Sequence, residues 1–349
     1  MKIIIGNNLL SKINQLFDFN RFSKVAILTD TNVAKHWLPV VKKSLKQQLL
    51  EIIIEHGEKE KNIETVKKMW EIMFENGLDR RSLLINLGGG VVSDLGGFAA
   101  STFMRGIGFL NIPTTLLAQV DASVGGKTGV DFLGIKNGIG VFKNPIRLVI
   151  DVETLKTLPK RELIAAFGEI IKHGVISGRE YFDLVTSKKP EEFSQDELMK
   201  IIKQSVKIKS EIVKKDPKEK NLRKVLNFGH TIGHAIESLS WKTDKPLLHG
   251  EAIAIGMVVE SHLACLCQPM NNLGGCIVAR LVEKVVMNAG LPTKITNIKT
   301  EDIMKIISSD KKNTLGKINF SLPEKIGKIS VNINVSEDLI VKAIKSITV

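Results

Sequence analysis

His230 and His234 stand four residues apart in Asn227-Phe228-Gly229-His230-Thr231-Ile232-Gly233-His234, and His249 follows in Leu247-Leu248-His249-Gly250-Glu251. On a helix, this i, i+4 spacing puts two imidazoles on one face. Metalloproteases hold zinc that way, with a glutamate base after the first histidine. Thr231 occupies that place here, so the hydrolytic base is missing. A catalytic divalent ion takes three protein ligands, often two His and one carboxylate, and keeps one position open. Glu169, His230 and His249 can supply such a set. An isolated histidine is more often a satisfied core residue, but three of the seven histidines fall at adjacent helix starts, which favours a metal site. Glu169 and Lys172 share a helix face at i, i+3, the spacing of an ordinary ion pair.

Two glycine-rich segments suggest anion chemistry. Leu84-Ile85-Asn86-Leu87-Gly88-Gly89-Gly90-Val91-Val92-Ser93-Asp94 reads as a strand, a glycine turn and a helix N-terminus. Backbone N–H groups there can approach a phosphate, and the helix dipole favours negative charge. The alternative is a tight strand–helix turn. Asp94, one turn in, can reach a ribose hydroxyl or simply complement the dipole. The second segment runs from Pro113-Thr114-Thr115 through Asp121 to Gly125-Gly126-Lys127-Thr128. It is not a P-loop, because Asp121 stands where that motif needs its first glycine.

The elements that must position these residues follow from periodicity. Residues 25–30, 51–55, 82–87, 108–113 and 147–151 read as strands, and 1–6 as a first strand. Residues 33–48 and 62–76 read as helices, and another helix starts near Val92. Short apolar runs between helices of 10–15 residues predict a mostly parallel sheet with helices on both faces. Beyond Asp151, helical periodicity dominates until the last forty residues. The expectation is an α/β chain with a Rossmann-like domain at 1–155 and a mainly helical domain at 156–349.

Bulk properties narrow the function. An apolar share of 43% suits a globular chain, and no apolar run approaches a membrane span. The net charge of +13 is spread through helices that also carry acids, and aromatics are only 5%. A nucleic-acid surface is therefore not expected. Cys265, Cys267 and Cys276 lack a metal or redox spacing and are expected as reduced, largely buried thiols of a cytoplasmic protein.

Taken in order, these segments resemble the 3-dehydroquinate synthase family of sugar-phosphate cyclases over about residues 29–327. The motifs that carry the resemblance are the turn at 88–94, residues 113–121 and 123–128, Lys136-Asn137, Glu169 with Lys172, Leu226 to Thr231 with Gly233-His234-Ala235-Ile236-Glu237, and His249-Gly250-Glu251. The resemblance implies NAD in the first domain, a divalent metal (zinc or cobalt) in the second, and a phosphorylated sugar acid as substrate. It implies Glu169, His230 and His249 as metal ligands and His234 as a proton carrier. Lys172 and Asp121 would contact substrate hydroxyls. Lys209 and Arg223 would clamp a carboxylate, as a guanidinium fork suits. Lys127, Asn137, Asn227 and Lys311 or Lys312 would surround the phosphate. Arg105 would reach the phosphate of a neighbouring subunit, which implies a homodimer. The cofactor positions would be Asp30, Asn32, Glu58, Lys61, Gly88, Gly89, Gly90, Asp94, Thr114, Thr115 and Thr157, with Asp121, Lys127 and Lys136 beside them. Asp131 replaces a usual asparagine and adds negative charge near the expected phosphate shell.

Three other readings remain. A related cyclase without a carboxylate substrate would not need Lys209 and Arg223. A metal-dependent polyol dehydrogenase would leave the anion shell unused. A basic binding protein would explain the charge, but not Glu169, His230 and His249 together.

Overall fold

The structure is a computed structural model, and it describes residues 2–45, 47–133, 135–267, 273–308 and 318–348. Lys311 and Lys312, expected at the phosphate, lie outside the described residues. The chain forms two compact units: Met1–Pro159 with Gln195–Val206, and Lys160–Ser194 with Lys207–Val349.

The first unit is built on a parallel sheet. Its strands are β1 (Lys2–Gly6), β2 (Val25–Asp30), β3 (Leu49–Ile54), β4 (Leu83–Gly88), β5 (Gly108–Pro113) and β8 (Arg147–Asp151), in the order β1-β8-β5-β4-β2-β3. Side chains alternate across a strand, and here both faces are covered. Val25 and Ile27 join Leu83, Ile85 and Leu110 in one core, while Ala26 and Leu28 join Leu84, Met69 and Phe98 in the other. The helix Ile63–Glu75 starts where the Asn62 side chain accepts from Thr65 N at 2.9 Å. It buries Val66, Met69 and Met73 along one stripe.

The expected helix over 33–48 is two helices, Thr31–His36 and Leu38–Ser44. Pro39 falls in the first turn of the second, where its missing N–H costs nothing; inside a continuous helix it would break one. The helix expected near Val92 runs over Gly90–Thr102. Not expected at all was the antiparallel hairpin of β6 (Lys127–Phe132) and β7 (Ile135–Phe142).

The second unit is mainly helical, with one antiparallel pair, β9 (Ile318–Lys325) and β10 (Lys328–Val335). Its central helix, His249–Leu266, is buried on nearly every side from Ala252 to Ala264, as a helix apolar all round must be. The helices Lys160–Ser177, His230–Ser240 and Leu273–Asn288 pack against it. Cys265, near its end, is disulfide-bonded to Cys276 on the last of these, so the expectation of three free thiols is corrected. No chain-local spacing announces that bond, because the two helices meet only in the fold. Cys267 is the free, buried thiol. Among the described residues, no helix is long and apolar enough to cross a membrane.

Candidate functional site

Glu169, His230 and His249 come from three helices, and each lies beside a glycine that lets two backbones touch. Gly168 precedes Glu169, and a Cβ there would stand 2.2 Å from the Gly250 carbonyl oxygen. Gly250 follows His249, and its Cβ would stand 1.8 Å from the Ala165 carbonyl oxygen. Gly229 precedes His230, with its φ of +81° in the left-handed region that glycine tolerates. The facing residue is Gly256, whose Cβ would meet the Gly229 carbonyl oxygen at 2.0 Å. The glycines therefore set the spacing of the helices at the level of the ligand side chains.

That spacing brings the donors together. Glu169 Oε1 lies 3.4 Å from His230 Nε2 and 3.5 Å from His249 Nε2. Bonds of about 2.0–2.1 Å to a tetrahedral ion put neighbouring ligand atoms about 3.3–3.4 Å apart, so these separations fit one shared cation. The outer nitrogens are held as well. His249 Nδ1 lies 3.1 Å from Glu237 Oε2, and His230 Nδ1 lies 3.2 Å from the Phe228 carbonyl oxygen. With a hydrogen on each Nδ1, both Nε2 lone pairs face the Glu169 carboxylate, an arrangement that favours a cation.

The electrostatics without an ion are divided. Burial lowers the pKa of His249, but hydrogen bonds to Glu169 and Glu237 outweigh it and raise the value to about 9. Burial and then the Lys172 charge hold His230 well below the ordinary histidine range. Lys172 is buried and ion-paired to Glu169 Oε2. The exposed His234 ring stands 5.0 Å from that of His230 and 5.8 Å from that of His249, centroid to centroid. One nitrogen from each of the three histidines can come within 4.8 Å of the other two.

Elsewhere in the second unit, Lys209 and Arg223 are both buried, and Arg223 Nη1 donates to the Pro217 carbonyl at 2.9 Å. Asn227 Nδ2 donates to Glu219 Oε1 at 2.8 Å.

In the first unit, the Gly88–Gly90 turn opens the helix Gly90–Thr102 with no side-chain cap. Gly89 rests on Thr115, where a Cβ would meet Cγ2 at 3.0 Å, and Thr114 N donates to the Gly88 carbonyl. Thr114 Oγ1 and Ser93 Oγ are buried with no hydrogen-bond partner among the described residues. An uncapped helix start beside unsatisfied hydroxyls fits a bound phosphate or ribose. Lys61 Nζ donates to Asp94 Oδ2 at 2.6 Å and lies 4.0 Å from Glu58, which also pairs with Lys136 at 3.4 Å. Burial lowers the pKa of Lys61, but Asp94 and Glu58 outweigh it and hold the ammonium above its ordinary value.

The Asp30 carboxylate caps the next helix, accepting from Asn32 N and Val33 N. Thr157 Oγ1 accepts from Trp37 Nε1 at 2.8 Å. Asp121 lies half-buried in a turn of π-helix, Ala118–Ala122, and Lys127 is exposed at the start of β6. Asn137, with φ +50°, donates its N–H to Asp131 Oδ1 at 2.8 Å. Asp131 thus pins the hairpin, and burial raises its pKa despite this bond. Arg105 is exposed, with φ +70°.

Glu237 and Glu260, both buried beside these helices, are acids to which the sequence alone assigns no role. Each is an acid set in a largely apolar helix stretch, and that was the available signal.

Residues 51–165 match the family model for the 3-dehydroquinate synthase N-terminal part, and residues 166–313 match that for its C-terminal part. A 3-dehydroquinate synthase from Thermoanaerobacter sp. (strain X514) is 44% identical over 336 residues, covering 93% of this chain and 91% of the relative. Among solved structures, 2-epi-5-epi-valiolone synthase from Streptomyces hygroscopicus subsp. jinggangensis 5008, with NAD+ and Zn2+ bound, is 25% identical with a TM-score of 0.85, covering 99% of this chain and 96% of that one. A 2-deoxy-scyllo-inosose synthase, complexed with carbaglucose-6-phosphate, NAD+ and Co2+, shares the fold at 23% identity and a TM-score of 0.87, over 99% and 96% of the two chains. With both parts of the family matched in order and a curated relative matched over nearly its whole length, the chain belongs to the 3-dehydroquinate synthase family.

Proposed function

We propose that the chain is a 3-dehydroquinate synthase, a phosphate-eliminating lyase. It converts 3-deoxy-D-arabino-heptulosonate 7-phosphate to 3-dehydroquinate and phosphate, a step toward aromatic amino acids. The observation that carries this reading is the convergence of Glu169, His230 and His249 in a chain of this family. NAD, held at the glycine turn, would supply reversible hydride acceptance for C5, and a divalent ion held by Glu169, His230 and His249 would supply Lewis acidity. Phosphate is eliminated, and the ring then opens and closes again by an aldol step.

The chain's own residues bind, orient and move protons. Glu169, His230 and His249 hold the metal, with Glu237 and the Phe228 carbonyl fixing the two rings. His234, exposed and beside both ligand rings, takes up or returns the proton of the reacting hydroxyl. Lys172 and Asp121 orient substrate hydroxyls. Lys209 and Arg223 receive the carboxylate, and their burial strengthens that charge pairing. Lys127, Asn137 and Asn227 serve the phosphate. The glycine turn, Thr114, Thr115 and the Lys61–Asp94 pair serve NAD, with Asp30, Asn32, Glu58, Lys136 and Thr157 around them.

A homodimer belongs to this reading. The hairpin exposes Phe132, Leu133, Ile135 and Phe142, an apolar surface suited to a second copy. Arg105, also exposed, is the residue the partner copy would lend to the phosphate. The compartment is the cytoplasm.

The test is turnover with NAD and zinc or cobalt. Inorganic phosphate should appear from the heptulosonate phosphate with no net NADH. Stoichiometric NADH would replace this reading with that of a simple dehydrogenase.

A further inference from the structure

We propose that Glu260 is a positioning residue for the metal centre: from the His249–Leu266 helix it caps the helix that carries His230, and so fixes where His230 points. This rests on the reading of Glu169, His230 and His249 as ligands.

The helix His230–Ser240 opens on Gly229, which has no side chain with which to cap it. The first-turn amides of a helix have no partner within it and need acceptors from elsewhere. Glu260 supplies them. Its Oε2 accepts from Gly229 N at 2.6 Å, and its Oε1 accepts from Ile232 N at 3.1 Å. The side chain is fully buried. Packing alone gives no reason for a carboxyl group at this depth, since a leucine would fill the space without losing hydration.

The two anchored amides flank His230 on either side in sequence. Backbone contact at Gly229, Gly233 and Gly256 sets how closely the two helices approach, but such contact resists sliding and rotation only weakly. Two directional hydrogen bonds onto one rigid carboxyl group resist both. His230 Nε2 must keep its 3.4 Å separation from Glu169 Oε1. A small rotation of the first turn would carry the ring away from it, and Glu260 prevents that rotation. Glu260 touches neither substrate nor metal; it acts through the backbone of the segment it caps.

The probe is Co2+, read by its d–d absorption and by chelator competition on the full-length protein. Glu260→Ala should raise the Co2+ dissociation constant about 10–100-fold, the range for outer-shell partners of metal ligands, and shift the d–d bands at saturating metal. Glu260→Gln, which keeps one acceptor oxygen, should lose less; it also keeps the test open if the alanine variant does not fold. Val282→Ala, a buried substitution away from the ligands, controls for general destabilisation and should leave the spectrum unchanged. Wild-type affinity and spectrum in both Glu260 variants would overturn the proposal, as would an equal loss in Val282→Ala at an equal fall in Tm. His230→Ala separates the underlying reading: if it too binds Co2+ as the wild type does, the ligand assignment fails rather than the role of Glu260.

Discussion

Glu237 Oε2 lies 3.1 Å from His249 Nδ1, while the other nitrogen of that ring lies 3.5 Å from Glu169 Oε1. A carboxylate behind a ligand histidine fixes its tautomer and raises its basicity. Glu237→Ala is therefore expected to weaken zinc binding about 10–100-fold. Glu237→Gln should weaken it less, because the amide oxygen still accepts from Nδ1. Chelator competition measures both, and an alanine variant with wild-type affinity would remove Glu237 from the centre.

Asp94 and Lys61 form an enclosed ion pair in the first unit, with side chains 16% and 5% exposed. Asp94→Asn leaves the ammonium without its nearest carboxylate. The expected loss is about 3 kcal/mol, the lower end for breaking a buried pair, because Glu58 remains 4.0 Å away. Urea unfolding gives the loss, and NAD titration of the same variant should show weaker binding. A variant as stable as the wild type would mean that solvent already screens the pair.

Gly256→Ala places a methyl group 2.0 Å from the Gly229 carbonyl oxygen and 2.7 Å from Gly233 N. Both obstacles are backbone, so neither can swing aside. Overpacking of this kind costs about 1–3 kcal/mol or more, and the displaced His230 helix should bind Co2+ more weakly. Unchanged unfolding and unchanged metal affinity together would show that the two helices are not held at this contact.

Glu260 supplies a pH dependence. Burial pushes its carboxyl up to about 8, against the pull of the Ile232, Gly229 and Thr231 amides. An unfolded glutamate titrates near about 4.3. Between those values the folded chain holds a proton that the unfolded chain has released, so stability falls as pH rises through that window. The contribution is complete below the unfolded value and lost above about 8. Urea midpoints of the metal-saturated protein from pH 5 to 9 should fall more steeply in the wild type than in Glu260→Gln. Parallel curves would place the Glu260 pKa near its ordinary value.

Much of this was legible in the chain because burial leaves a simple pattern. The strands of the parallel sheet are runs such as Val25 to Asp30 and Leu83 to Gly88, apolar on both faces and bounded by turns. The hairpin was not legible, because its glycines suggest a loop. They have another purpose: a Cβ on Gly129 would stand 2.5 Å from the Ile139 carbonyl oxygen, and one on Gly140 would stand 2.3 Å from that of Thr128. They allow two strands to pair closely, which periodicity cannot report.

The same division runs through the site. Of the proposed ligands, His230 and His249 stand out by residue type and by their place at helix starts, and Glu169 by residue type alone. Glu237 and Glu260 do not, because their partners lie 12 and 28–31 residues away in sequence and become neighbours only when helices pack. The disulfide between Cys265 and Cys276 was missed for a related reason, since its two helices approach only in the folded unit. The turn at Gly88–Gly90 was read correctly as a strand-to-helix junction, yet its unsatisfied hydroxyls at Ser93 and Thr114 needed coordinates to be found.

A library built on this chain to change its metal preference has little room at residues 168, 250 and 256, where an added methyl group meets another helix's backbone within 2.2 Å. Diversity placed there would mostly return unfolded clones. More room is left at the outer positions, Glu237 and Glu260, which touch the ligand segments through hydrogen bonds rather than through backbone contact, provided that the replacement keeps an acceptor oxygen. The fold thus divides the centre into a part that is frozen by geometry and a part that selection can still tune.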